Sequence, residues 1–135
     1  MSTKNKDISV KIYRSSLARA QGLGSAKLGV AHWWAQRVSA VALLPLTLYF
    51  VASVLMLLGA NVTQMQQYMA EPWNCALFLA LIAMLFYHLS LGLRVVVEDY
   101  VPHEGKRLSL ILLINGGIIF LAIICAVSVL KLAFS

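Results

Sequence analysis

The sequence predicts an all-α integral membrane protein: three transmembrane helices behind a basic N-terminal segment. Three observations carry this expectation. Hydrophobic residues make up 61% and charged residues 12% of 135 positions, against about 25% charged in an ordinary soluble domain. The apolar residues are gathered into three long runs and not scattered at core periodicity, so the bilayer is their natural solvent. Each run is roughly as long as a helix needs to cross a hydrocarbon layer of ~30 Å.

In chain order, residues 1–30 read as a polar segment and residues 31–135 as the membrane domain. The net charge is +6, and Lys4, Lys6, Lys11, Arg14, Arg19 and Lys27 all precede the first apolar run, opposed only by Asp7. A basic tail can bind nucleic acid. Ahead of membrane spans it sets orientation and meets anionic lipid headgroups, so membrane lipids are the expected partner and nucleic acid is not. Residues 8–20, with Ile8, Ile12, Leu17 and Ala18, suit either a short surface helix or a loosely ordered tail. No compact apolar run with a small-residue cleavage site opens the chain, so no cleaved signal peptide is expected.

The first span is expected over residues 33–58, with Trp33 and Trp34 at the water–lipid interface, Pro45 bending it and Gly59 closing it. Residues 60–71 read as a linker without Lys or Arg. Pro72 suits the first turn of a second helix, with its span over 73–97. Residues 101–107 form a polar turn, and the third span covers 108–132. There Asn115, Gly116 and Gly117 allow close helix contact. Lys106 and Arg107 in the second loop, added to the basic tail, put the N-terminus and the 101–107 turn on the cytoplasmic side and the C-terminus on the periplasmic side.

Cys75 and Cys125 lie in apolar runs without a CxxC or CxxCH pattern, so they read as buried free thiols, and a c-type heme attachment is not expected. No P-loop, dinucleotide fingerprint, HExxH or nucleophile–base pair is present. The chain by itself therefore reads as non-catalytic.

The chemistry gathers in the stretch from Tyr87 to Tyr100. His88 sits deep in the second apolar run. A histidine there is a proton relay, a hydrogen-bonding packing residue or a heme ligand. Gly92, one turn on, removes bulk where a flat macrocycle needs clearance. With no second histidine in the expected spans, bis-histidine ligation requires a ligand from another chain. Arg37 near the first span's start, with His32 and Ser39 in the same zone and Arg94 on the second helix, suits carboxylates such as heme propionates. Asp99 lies about 16 Å further along the His88 helix face, and Tyr100 follows it. A phenol there can donate to a quinone carbonyl and an adjacent carboxylate can relay protons. His103 and Glu104 in the following turn read as solvated loop residues.

These residues resemble a known family. The entry Gly29-x-x-His32-Trp33-x-x-Gln36-Arg37-x-Ser39-Ala40, and above all His88 followed after ten residues by Asp99-Tyr100, are similar to the smaller hydrophobic membrane-anchor subunit of bacterial succinate dehydrogenase, respiratory Complex II. The Leu23-Gly24-Ser25-Ala26-Lys27 stretch is similar to alphaproteobacterial members. The resemblance implies that His88 is an axial ligand to heme b, with the second ligand from the larger cytochrome b anchor subunit. It implies that Tyr100 and Asp99 line a ubiquinone pocket, and that Arg37, with His32, lies near the heme propionates. It further implies a flavoprotein and an iron–sulfur subunit on the cytoplasmic side of a bacterial inner membrane. Three rival readings stand beside it: a fumarate reductase anchor, a heme-free anchor, and a small proton or anion transport component built on His88, Arg94 and Asp99.

Overall fold

A computed structural model describes residues 25–135, with side chains from Gly29 onward. The surface helix considered for residues 8–20 and the basic residues up to Lys27 lie outside the described side chains. The chain divides into two compact units, residues 1–33 and 34–135. Among the described residues there are four helices and no strand: α1 (Ser25–Met56), α2 (Val62–Ala70), α3 (Pro72–Tyr100) and α4 (Glu104–Ala133). Three contain windows apolar enough to cross a membrane, Gly29–Met56, Pro72–Tyr100 and Glu104–Ala133. At 1.5 Å per residue each window spans roughly 40–45 Å, more than the ~30 Å hydrocarbon layer needs. The protein is a multi-pass membrane protein.

α1 begins ahead of the apolar run, at Ser25. Backbone hydrogen bonding does not stop where hydropathy does, so His32 falls within the helix instead of before it. Pro45 lies inside α1 and withholds the bond that the Val41 carbonyl would otherwise accept. Thr47 adds local bonds beside it, donating to the Leu43 carbonyl at 2.7 Å and the Leu44 carbonyl at 3.0 Å. The helix ends where Gly59 takes φ +82°, a left-handed conformation that glycine adopts without steric cost.

Residues 60–71, expected to be a linker, instead hold α2. Its start is fixed by a capping box: the Asn61 side chain accepts from the Gln64 amide, and the Gln64 side chain accepts from the Asn61 amide, both at 2.9 Å. Two amide donors that a helix start leaves open are thereby satisfied. Nine residues are too few to cross a bilayer, so α2 packs along the ends of the spans through buried Met69. Glu71 ends α2 and stands at the N-cap position of α3 without a side-chain capping bond, with Pro72 in the first turn as expected.

α2 is tied down by a polar network. Tyr49 donates to Asn74 Oδ1 at 2.6 Å, and Asn74 Nδ2 donates to the Tyr68 carbonyl at 2.8 Å. The Tyr68 hydroxyl meets Ser53 Oγ at 2.8 Å and the Tyr49 hydroxyl at 3.1 Å. Ser53, 1% exposed, donates to the Tyr49 carbonyl. Next to it, Phe78 of α3 meets Tyr49 and Phe50 of α1 edge-on, with centroids 6.0 and 5.7 Å apart.

Little of the apolar surface is consumed within the chain. Only 6% of the most apolar window of α3, and the same of α4, is buried, so lipid or other subunits must cover the rest. Gly116 and Gly117 do not mediate contact within the chain: a Cβ at either would meet nothing within 4 Å. Their neighbour Ile118 is the buried residue of α4, which turns the glycines outward. Cys75 and Cys125 are free thiols, but half-buried and not buried as expected.

Asn74→Leu keeps the volume and removes both bonds that Asn74 makes. It is expected to cost the purified protein in detergent about 1–2 kcal/mol, read as a lower unfolding midpoint. An unchanged midpoint would show that this network does not hold α2.

Candidate functional site

α1 and α3 run antiparallel, and one register relates their contacts. Ser39 meets His88 near one end, and ten residues along α1 Tyr49 meets Phe78, ten residues back along α3. This register brings a short polar set from α1 against the middle of α3. Ser39 Oγ lies 2.8 Å from His88 Nδ1, and Gln36 Nε2 lies 3.3 Å from His88 Nε2. Both nitrogens of the imidazole are thus engaged by one turn of α1. Ser39 is 1% exposed and also donates to the Gln36 carbonyl at 3.0 Å. His88 and Gln36 are half-buried.

Gly92 follows His88 by one helical turn on nearly the same face. A Cβ there would meet only Gln36 Nε2, at 3.6 Å. The side chain nearest both Gly92 and His88 Nε2 is therefore a flexible amide. Its oxygen is enclosed and has no hydrogen-bond partner.

The other sequence-predicted residues lie apart from this set. Asp99 and Tyr100 close α3, about 16–18 Å along the axis from His88, and both are exposed, Tyr100 to 81%. Arg37 is exposed on α1. His32 belongs to the first unit, is half-buried, and its Nε2 has no hydrogen-bond partner. Arg94 stands six residues from His88, about 120° away around α3. It does not turn toward the imidazole. It pairs with Glu98 at 2.8 Å and shares a polar cleft at the α3–α4 turn with Glu104 and Arg107, themselves 3.7 Å apart. Among the described residues no group of three or more His, Cys, Asp or Glu could hold a metal ion, so His88 offers a single donor.

The sequence does not place two members of this set against His88. Gln36 enters it only as part of the motif that carries the resemblance. Ser39 falls in the polar zone with Arg37 and His32. The signal that finds them is the spacing of polar side chains three apart on an apolar helix, which marks a face turned toward a polar partner.

The family described as succinate dehydrogenase/fumarate reductase transmembrane subunit matches residues 11–129. The chain belongs to this family. Among its relatives is the succinate dehydrogenase hydrophobic membrane anchor subunit of Paracoccus denitrificans, 32% identical over 98 residues that cover 73% of this chain and 76% of the relative. The subunit of the same description from Rickettsia conorii is 28% identical over 104 residues, 76% of this chain and 82% of the relative. The succinate dehydrogenase membrane anchor subunit of Reclinomonas americana is 32% identical over 92 residues, 66% of this chain and 77% of the relative. No solved structure matches the chain.

The Arg94–Glu98 pair is exposed and spaced one turn apart on a single helix, so its contribution is small. Glu98→Gln is expected to change the unfolding free energy of the protein in detergent by no more than about 0.5 kcal/mol. A larger loss in denaturant titration would mean that Glu98 anchors something besides Arg94.

Proposed function

We propose that this chain is the smaller membrane-anchor subunit of a succinate:ubiquinone oxidoreductase. In this reading it secures the flavoprotein and iron–sulfur subunits to the bacterial inner membrane and, with the larger cytochrome b anchor subunit, forms a heme b site and a ubiquinone pocket. Residues 1–30 are the cytoplasmic segment and residues 31–135 the membrane domain. The N-terminus and the α3–α4 turn face the cytoplasm, and the C-terminus faces the periplasm. The relatives' names support succinate oxidation over the reverse reaction, since the Paracoccus, Rickettsia and Reclinomonas proteins are described as succinate dehydrogenase subunits.

The observation that carries the reading is the disposition of His88. Its imidazole is held at Nδ1 by a buried serine at 2.8 Å, while Nε2 meets only the Gln36 amide nitrogen, at 3.3 Å. Gly92 adds no side chain on the same face. The residues present therefore fit a heme: one imidazole donor mid-span, with a single flexible amide, Gln36, beside it. His88 would supply one ligand to the iron and the larger subunit the other, and Arg37 and His32 would meet the propionates. Bound there, heme b supplies a one-electron carrier inside the membrane.

The quinone end is separate. Tyr100 and Asp99 are exposed at the end of α3, where partner subunits can complete a pocket around them. The Tyr100 hydroxyl donates to a quinone carbonyl, which holds the ring and favours negative charge on that oxygen. The Asp99 carboxylate, within reach of water, passes protons toward it. Succinate chemistry stays in the peripheral subunits, and this chain takes no catalytic step of its own.

His88→Ala in the purified complex is expected to abolish or alter the b-type band in a reduced-minus-oxidised spectrum, and an unchanged band would defeat the ligand assignment. Tyr100→Phe is expected to lower succinate–quinone activity at least tenfold, with succinate oxidation by an artificial acceptor nearly unchanged. Equal loss in both assays would argue against a pocket role.

A further inference from the structure

We infer that Ser39 is the positioning residue of the heme site: its hydroxyl fixes which imidazole nitrogen of His88 faces the iron and how strongly that nitrogen donates. This rests on the heme reading above and goes one step deeper into the same site.

The proton inventory carries the argument. A serine hydroxyl has one proton and two lone pairs. A backbone carbonyl can only accept, so the 3.0 Å bond from Ser39 Oγ to the Gln36 carbonyl uses that one proton. Toward His88 Nδ1, 2.8 Å away, the same oxygen has only a lone pair to offer. With the serine proton on the carbonyl, the bond to Nδ1 takes its hydrogen from the imidazole. In a neutral imidazole the lone pair then lies on Nε2. The contact on that side agrees: the Gln36 amide nitrogen at 3.3 Å can donate to a lone pair and could not face a second N–H.

The serine is well suited to fix this state. It is 1% exposed, so no water competes for its oxygen. Its bond to the carbonyl three residues back locks the hydroxyl against α1's own backbone. The ring therefore takes its orientation from a rigid helix. A hydrogen bond accepted from Nδ1–H also pushes electron density toward Nε2 and makes it a stronger donor. A stronger axial donor favours ferric over ferrous iron. Taking Ser39 Oγ away leaves Nδ1–H without its acceptor in an apolar surrounding, frees the ring to turn, and weakens the donor.

The test uses the complete complex purified in detergent, with a redox titration of the b-type band and the heme-to-flavin ratio as readouts. Ser39→Ala removes one oxygen and is expected to shift the ferric–ferrous balance at least threefold toward ferrous, or to lower heme occupancy by at least half. Ser53→Ala is the matched control: Ser53 is equally buried and bonds its own helix, but it faces Tyr68 and not His88. The control is expected to titrate like the parent complex. A Ser39→Ala complex with parental potential and full heme overturns the inference. An equal effect in both variants also overturns it, since loss of any buried hydroxyl would then suffice. If His88→Ala abolishes the band while Ser39→Ala changes nothing, the heme reading stands and the serine's role falls. A parent complex with no b-type band overturns both.

Discussion

Everything else in the structure is arranged around the grip of α1 on His88. Ser39 and Gln36, three residues apart, reach the two nitrogens of one imidazole on the neighbouring helix. In a hydrocarbon surrounding an unpaired polar nitrogen is expensive, so a histidine in mid-span constrains whatever packs against it. Here the constraint sets the register of α1 on α3. Once Ser39 is opposite His88, the antiparallel pairing brings Tyr49 opposite Phe78 and puts Ser53 and Asn74 near enough to share Tyr68. The two ends of the α1–α3 contact are polar and the stretch between them is aromatic and aliphatic. Apolar packing alone would allow the helices to slide; two separated polar sets do not.

The two polar sets differ in kind. The Tyr49–Ser53–Tyr68–Asn74 network ties each of its hydroxyl and amide groups to another and fastens a short helix across the end of the spans. The His88 set is incompletely satisfied, because the Gln36 oxygen is enclosed without a partner. Buried polar groups are nearly always paired, so an exception marks a place where something other than stability decides the arrangement. That contrast supports a ligand role for His88 and a purely architectural one for Asn74.

The three spans, their order and the His88–Asp99–Tyr100 axis were legible in the sequence, because long apolar runs and helix periodicity are local properties. The polar pattern also exposed His88 as unusual. What stayed hidden was mostly non-local. Nothing in the sequence says that Ser39 meets residue 88 and not lipid; only the register between two helices decides it. Arg94 looked available for an anion near His88, yet its angle around α3 sends it to Glu98. Gly116 and Gly117 looked like a contact surface and turned out to face away from the chain's own helices. One miss was local after all. The Asn61–Gln64 capping box was written in the linker, but a polar segment with little hydrophobic periodicity did not read as helix.

The same geometry explains why one chain serves a multi-subunit assembly. α3 is a rigid rod of 29 residues, and a continuous helix fixes the axial distance between any two of its side chains. His88 and Tyr100 therefore stand about 18 Å apart whatever loops or partners do. The imidazole at one level is gripped by α1 and half-buried, and the phenol at the other is exposed. The sparse self-burial of α3 and α4 goes with that separation: surface not used to close the spans on one another is left for lipid or other subunits to cover. Stability of the isolated chain and completeness of the assembled sites thus pull in opposite directions. The helices yield on the first, and the polar ties between α1 and α3 keep the register that the second requires.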